Sequence, residues 1–594
     1  MEASSVIRHP AFLADAAPAF FAWTHHAPEA PPRGLVAVIC GPIGSEYTRC
    51  HRSLRHLADR FARAGIPAVR FDYHGTGNSP GTDLDPGRVP AWLANIRDAA
   101  AYARRWSGCD RVVLVGVRLG GTFAALASEA VGAEGLVLWN APAKGKPYVR
   151  ELQVVARMAA RNADSEGALE AAGFVLTAET LEALRGIDLT RSPIVARRAL
   201  VVSRDDLAAD ATLAERLAQL GIATESLSLP GWNGMMADHQ HTVVPDEALE
   251  RIVATVAAWG NTAAGAESRL APQLIGAPRV AISFIDENGS PATVEEEACR
   301  FGDDAHLFGV LARPDADASR PAIVMFNGGA VHHVGPNRLY VTLARSLAAL
   351  GFACLRFDLE GIGDSVLRKP GRENHPYPET ATADAHAAIQ FLRERHGYRR
   401  FIALGLCSGA HTAFHTGLKL DEEIGDLILI NPYAFYWKEG MSLDVVSKIA
   451  DAQQYKKSMR DPSRWLKLLR GDVNLRRLLD VAMSQPALLA RSCYGVLCEH
   501  IAPSRAPRLA RDFRKLFERK RQVTVLMGDG EPARDLIMTD AKWTVSQGMK
   551  RGDFRLETIA GGDHTFTQSR TRRELVQRVA ARLRPRLDEA GFLS

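Results

Sequence analysis

Three short stretches of this chain carry residue types able to transfer an acyl group, and they run in the order nucleophile, acid, histidine. The first is Gly405-Leu406-Cys407-Ser408-Gly409. It fits the pattern G-x-Nu-x-G, with a thiol where a hydroxyl is usual. The second, Gly528-Asp529-Gly530-Glu531-Pro532, is a turn crowded with acids, and the third, Gly561-Gly562-Asp563-His564-Thr565-Phe566, is a glycine-rich loop with one histidine. Cys407 is the expected nucleophile. A thiol at the start of a helix faces unpaired N–H groups and the positive end of the helix dipole, both of which favour the thiolate. His564 would pair with it and then protonate the leaving group. An acid must hold the imidazole tautomer. Glu531, just before Pro532, is favoured for that role, with Asp529 kept open beside it and Asp535 more remote, while Asp563 is expected to shape the histidine loop.

The oxyanion of an acyl-transfer step needs two backbone donors. One is expected from Ser408, the residue after the nucleophile. The other is expected from Asn327-Gly328-Gly329-Ala330, where glycines permit close approach to a substrate oxygen. The Ser408 hydroxyl itself stands one place late to be the nucleophile. A cysteine acyl-enzyme is a thioester, so accepting an acyl group from an ester or thioester is nearly balanced in energy. Cleaving a peptide bond, where an amine must leave, suits it poorly.

Positioning these groups takes a strand, a tight turn and a helix. Phe401 to Leu404 reads as a strand entering the turn, small residues open the helix, and Val523 to Leu526 reads as the strand before the acid turn. Strand, elbow, acid and histidine in this order are those of an α/β-hydrolase. The chain also repeats itself. Arg70-Phe71-Asp72 to Ser79 is echoed by Arg356-Phe357-Asp358 to Ser365, Val112 to Gly121 aligns with the elbow at Cys407, and Leu136 to Pro142 aligns with Leu427 to Pro432. Each half alternates strands and helices, which predicts α/β architecture: two tandem domains, each a mostly parallel, doubly wound sheet. The domains are expected at 1–260 and 279–594, with a small-residue linker over 261–278 and a helical, basic cap about 433–521 in the second. Within that cap, Tyr455 to Arg477 and Arg505 to Arg521 read as amphipathic basic helices.

The first half lacks a nucleophile. Its elbow reads Gly116-Val117-Arg118-Leu119-Gly120, and arginine has no lone pair for attack. Asp205, Asp206, His239 and His241 follow at acid and histidine positions. Arg118 is either part of a scaffold or an anion anchor at the helix mouth, facing Glu46 and Arg49.

Composition excludes several classes. At 594 residues one core is too few. A net charge of +5 is too small for this length to suggest a nucleic-acid partner. Eight cysteines without a C-x-x-C pair predict reduced thiols, no metal site and a cytoplasmic location. No stretch of 18 apolar residues predicts a membrane span. No cofactor is implied.

With these residues in hand, the second half resembles the exosortase A system-associated hydrolases of type 1, a branch of the serine aminopeptidase-like α/β-hydrolases whose elbow reads G-L-C-D-G-A. Here it is G-L-C-S-G-A at 405–410, followed by Leu427 to Tyr433 and by Trp465 to Gly471 in the cap stretch. The first half resembles the type 2 partner, which carries arginine in its elbow and an E-x-x-x-S-R-like helix start, here Glu46 to Arg52. The resemblance implies two neighbouring functions fused in one chain. The expected activity is an acyl hydrolase or acyltransferase acting on an ester or thioester, with an acyl carrier protein as one candidate partner and the first domain non-catalytic. The alternative is a binding module that holds an acidic carrier or a polysaccharide intermediate.

Overall fold

The computed structural model describes residues 5–584, apart from 14, 17, 160–166, 209, 261–275, 287–288, 315–319, 421–423 and 439–494. Most of the expected linker, the basic stretch Tyr455 to Arg477 and the cap motif Trp465 to Gly471 lie outside the described residues. Two compact units divide the chain: 1–299 with 308–313 and 334–345, and 300–307, 314–333 and 346–594.

The first unit holds strands β1 (Ile7–Leu13), β2 (Phe20–His26), β3 (Val36–Cys40), β4 (Ala68–Phe71), β5 (Val112–Val117), β6 (Gly135–Trp139), β9 (Arg198–Arg204) and β10 (Ala223–Leu229), with β7 (Leu169–Ala171) and β8 (Phe174–Leu176) as a separate small hairpin. The sheet order is β1-β2-β4-β3-β5-β6-β9-β10, antiparallel through β2 and β4 and parallel from there on. Strands β11 (Arg279–Ile285), β12 (Pro291–Phe301) and β13 (Leu307–Arg313) follow, β11 and β12 as an antiparallel pair. The second unit aligns β14 (Ala322–Phe326), β15 (Cys354–Asp358), β16 (Phe401–Leu406), β17 (Ile424–Ile430), β18 (Gln522–Met527) and β19 (Phe554–Thr558) in the order β15-β14-β16-β17-β18-β19, all parallel.

Central strands such as VAVIC, VVLVGV, AIVMF and FIALGL are buried at every position. Parallel strands covered by helices on both faces need this continuous apolar character. Helices run over Ser45–Arg63, Arg88–Ser107 and Asp246–Trp259. The repeated R-F-D-x-x-G-x-G-x-S serves one purpose twice. In the first copy the Asp72 carboxylate accepts from the Asn78 N–H at 2.8 Å and the Ser79 hydroxyl donates to the Asp72 carbonyl at 2.6 Å. In the second, the Asp364 N–H meets Asp358 at 2.9 Å and Ser365 meets the Asp358 carbonyl at 2.6 Å. The aspartate and serine thus close the glycine turn at the carboxyl end of each strand, the edge where α/β sheets present their ligands.

Candidate active site

Sterics explain the sharp turn after β16. A Cβ on Gly405 would run into the backbone of Gly409, and one on Gly409 into the carbonyl of Phe326. Cys407 is left at φ 58°, ψ −116°, outside the favoured regions and ahead of the helix Ser408–Lys419. Such a conformation costs about 1–3 kcal/mol and is kept where surrounding packing over-determines it. Its N–H is tied to the Ile430 carbonyl of β17 at 2.9 Å, which fixes the sulfur at the sheet edge. Cys407 is only partly buried, unlike Cys40, Cys50, Cys354 and Cys498.

His564 lies between Cys407 and Glu531. Its Nδ1 is 3.0 and 3.1 Å from the two Glu531 oxygens, and the ring lies within electrostatic reach of the Cys407 sulfur. Burial alone would lower its pKa. The sulfur and the Glu531 carboxylate outweigh that, and the ring is held well above the ordinary 6.5, favouring imidazolium. Asp529, the other acid of the turn, does something else. Its Oδ2 accepts from the Gly561 N–H at 2.8 Å while its own N–H donates to the Gly562 carbonyl at 2.8 Å. The acid turn and the histidine loop approach backbone to backbone there, which is why glycines stand at 528 and 562: a Cβ on Gly528 would strike the Gly562 carbonyl. Asp563 accepts from the Thr567 N–H at 2.7 Å and shapes the loop.

The Ser408 hydroxyl is buried and braced. It accepts from the Gly329 N–H at 2.9 Å and contacts the Asn327 carbonyl at 3.4 Å, tying the elbow to the loop after β14. The Asn327 amide donates to the Val331 carbonyl and to Asp358, both at 2.9 Å, and its oxygen accepts from Leu359 N–H at 2.8 Å, so this side chain holds the loop in shape. Gly328 stands between these two anchors, where a Cβ would come to 3.2 Å from the Leu406 side chain.

Sequence reasoning missed Asn431. Read there as the end of a strand, it sits at φ 42° and is fully buried. Its amide donates to the carbonyls of His564 (2.7 Å) and Asp563 (3.2 Å), and its oxygen accepts from the Gly528 N–H (2.8 Å). One side chain therefore staples the acid turn to the histidine loop. Its equivalent in the first unit, Asn140, has the same positive φ, the one available signal being its place in both repeats. Replacing Asn431 by alanine strands a buried N–H and two carbonyls. The expected cost is about 1–3 kcal/mol, read as a lower urea midpoint, together with slower acylation of Cys407.

The first unit keeps the elbow backbone without the nucleophile. Arg118 has φ 52°, ψ −127°, close to Cys407, and the flanking Gly116 and Gly120 are required by the same close approaches. Its guanidinium donates to Glu46 and Glu151, both at 2.7 Å, and lies 5.3 Å over the Tyr148 ring. The cation is thus matched by internal carboxylates. Asp206 pairs with Arg204 and Asn233, and His239 faces Thr48 at 2.9 Å, its pKa lowered to about 4 by burial and by Arg49. Among the described residues no acid–histidine–elbow chain forms in this unit. No helix among them is long and apolar enough to cross a membrane.

Two mostly parallel sheets, each with a strained elbow at its carboxyl edge, define an α/β hydrolase of tandem form. The sequence profile of the serine aminopeptidases, S33, matches residues 30–171 and 318–486, more than half of the chain, and the chain belongs to that family. No curated protein matches the sequence. Solved structures similar to part of it include Est1E from Butyrivibrio proteoclasticus with ferulic acid bound (16% identity, 42% of this chain and 96% of that one, TM-score 0.30). Another is an a/b serine hydrolase without a lid from Xanthomonas campestris (16% identity, 38% and 84%, TM-score 0.26). A third is carboxyl esterase 2 from Tuber melanosporum (11% identity, 44% and 88%, TM-score 0.31).

Proposed function

We propose that the second unit is an acyl hydrolase or acyltransferase acting on esters or thioesters through an acyl-cysteine intermediate. The observation that carries this reading is the His564 ring held by the Glu531 carboxylate at 3.0 Å and within electrostatic reach of the Cys407 sulfur in the strained elbow. In the first step the sulfur attacks the substrate carbonyl carbon, and the electron pair of the C=O bond moves onto oxygen. The N–H of Ser408 and that of Gly328 are the proposed donors to this oxyanion. When the carbonyl re-forms, the bond to the leaving alkoxide or thiolate breaks and the His564 imidazolium gives up its proton to it. In the second step water or an acceptor alcohol attacks the thioester, His564 takes its proton, and the Cys407 sulfur departs. Glu531 holds the ring throughout and is not itself protonated.

The first unit is assigned a non-catalytic role, supported by arginine in its elbow and by the pairing of that arginine with Glu46 and Glu151. Kinship with the exosortase A system-associated hydrolases rests on the elbow sequences 405–410 and 116–120 and leaves an acyl carrier as a candidate donor. Seven described cysteines are free thiols, which fits a reducing compartment. The reading is tested by offering the full chain a p-nitrophenyl ester, an acyl thioester and the matched anilide. Turnover of the first two with little of the anilide is expected; hydrolysis of the anilide alone would overturn the assignment.

A further inference from the structure

Beside the elbow, one polar atom has no role in the chemistry above. Tyr377 is 7% exposed, and its hydroxyl is buried with no hydrogen-bond partner among the described residues. A buried hydroxyl left in this state is destabilising, and phenylalanine would avoid that cost with the same ring. The ring is held rigidly. It stacks on Trp437 at 4.3 Å with 6° between planes, meets the edge of His411 at 5.2 Å, and its backbone N–H donates to His375 Nδ1 at 3.1 Å. His411 belongs to the first turn after Cys407, its N–H directed at the Cys407 carbonyl. The indole Nε1 of Trp437 is a second buried donor without an acceptor among the described residues, so both donors of one stacked pair are left over beside the elbow.

The hydroxyl lies within electrostatic reach of the Cys407 sulfur and of Tyr433, whose ring meets His564 at 5.6 Å, yet it bonds neither sulfur nor Tyr433. Burial first, then the charges of Cys407 and Tyr433, raise its pKa, so it remains a neutral donor throughout the working range. The stacked ring and its contact with His411 put this unsatisfied donor beside the turn that carries the nucleophile.

We infer that the Tyr377 hydroxyl donates a hydrogen bond to an acceptor atom of the acyl substrate beside the carbon attacked by Cys407, and so is a substrate-touching residue of this site. The inference rests on the reading of Cys407 as nucleophile.

The test uses the full chain as wild type, Tyr377→Phe and Cys407→Ala. Single-turnover acylation by p-nitrophenyl acetate is compared with the reaction of the thiol with methyl methanethiosulfonate, which presents no acyl group. Tyr377→Phe is expected to acylate about tenfold more slowly or worse, the loss of one hydrogen bond. Its reaction with the thiosulfonate should be unchanged. Equal acylation by wild type and Tyr377→Phe would overturn the inference while leaving the nucleophile intact. A parallel fall of both reactions would overturn it too, because the hydroxyl would then act on the sulfur or on the fold. Acylation absent from the wild type, or retained by Cys407→Ala, would overturn the nucleophile assignment and this inference with it.

Discussion

Cys407→Ala is expected to lower turnover of an acyl thioester by about 10⁴-fold or more, the scale seen when a covalent nucleophile is removed and only binding and oxyanion contacts remain. The elbow should survive the change. The strained φ of 58° is imposed by Gly405, Gly409 and the Cys407 N–H bond to β17, not by the sulfur. The comparison that gives this result its meaning is Ser408→Ala. Ser408 carries the only other nucleophile-type side chain in the turn, but its hydroxyl is buried and spent on Gly329 and Asn327. Its loss should loosen one oxyanion loop and cost about tenfold, the worth of one hydrogen bond, while the Cys407 thiol remains open to labelling. Steady-state kinetics on both variants, with intact secondary structure by circular dichroism, separates the two residues.

The second large effect is expected at Glu531. Glu531→Gln should reduce kcat by about 10²- to 10⁴-fold, because an amide can present the wrong group to His564 Nδ1 and the ring then loses its orientation. Asp529→Asn should act mainly on stability, since Asp529 clips Gly561 and makes no bond to the ring. Against burial, the Cys407 sulfur and the Glu531 carboxylate raise the pKa of His564 well above 6.5. Removing the carboxylate charge therefore lowers it. The imidazolium that protonates the leaving group is lost as pH rises through that pKa, so the alkaline limb of the acylation profile should move to lower pH in Glu531→Gln. A profile unmoved by the substitution would show that Glu531 does not govern the ring.

The two elbow turns of the candidate site are legible in the sequence for steric reasons. The turn at Cys407 tolerates only glycine at its two flanks, and the repeat exposes the same turn at Arg118 with the same flanks. The doubled aspartate and serine of the R-F-D motif could be read as a paired feature because both close a turn in the same way. What stayed ambiguous was reach. Asp529 and Glu531 share one turn, and only the longer side chain arrives at His564, a fact of three-dimensional path that spacing does not carry.

Asn431 was hidden for another reason. At the end of an apolar strand it reads as a stop signal, while its work is done on loops that are distant in sequence. Strands near the start of each sheet were also missed. β1 contains Pro10, an alanine-rich stretch with Pro18 separates it from β2, and β12 contains Glu295, Glu296 and Glu297 in succession. Burial of Glu296 is made possible by Arg345, which donates to both of its oxygens at 3.0 and 3.1 Å, a pairing no local pattern announces.

The proposed chemistry stands on a covalent bond between an acyl group and one sulfur. Incubation of the full chain with an acyl thioester, followed by intact mass and peptide mapping after rapid acid quench, reads that bond directly. A mass increase of one acyl group carried on the peptide containing Cys407, and missing from Cys407→Ala, is the predicted result. Turnover of the thioester with the acyl group trapped on a different residue, or undiminished in Cys407→Ala, would contradict the account.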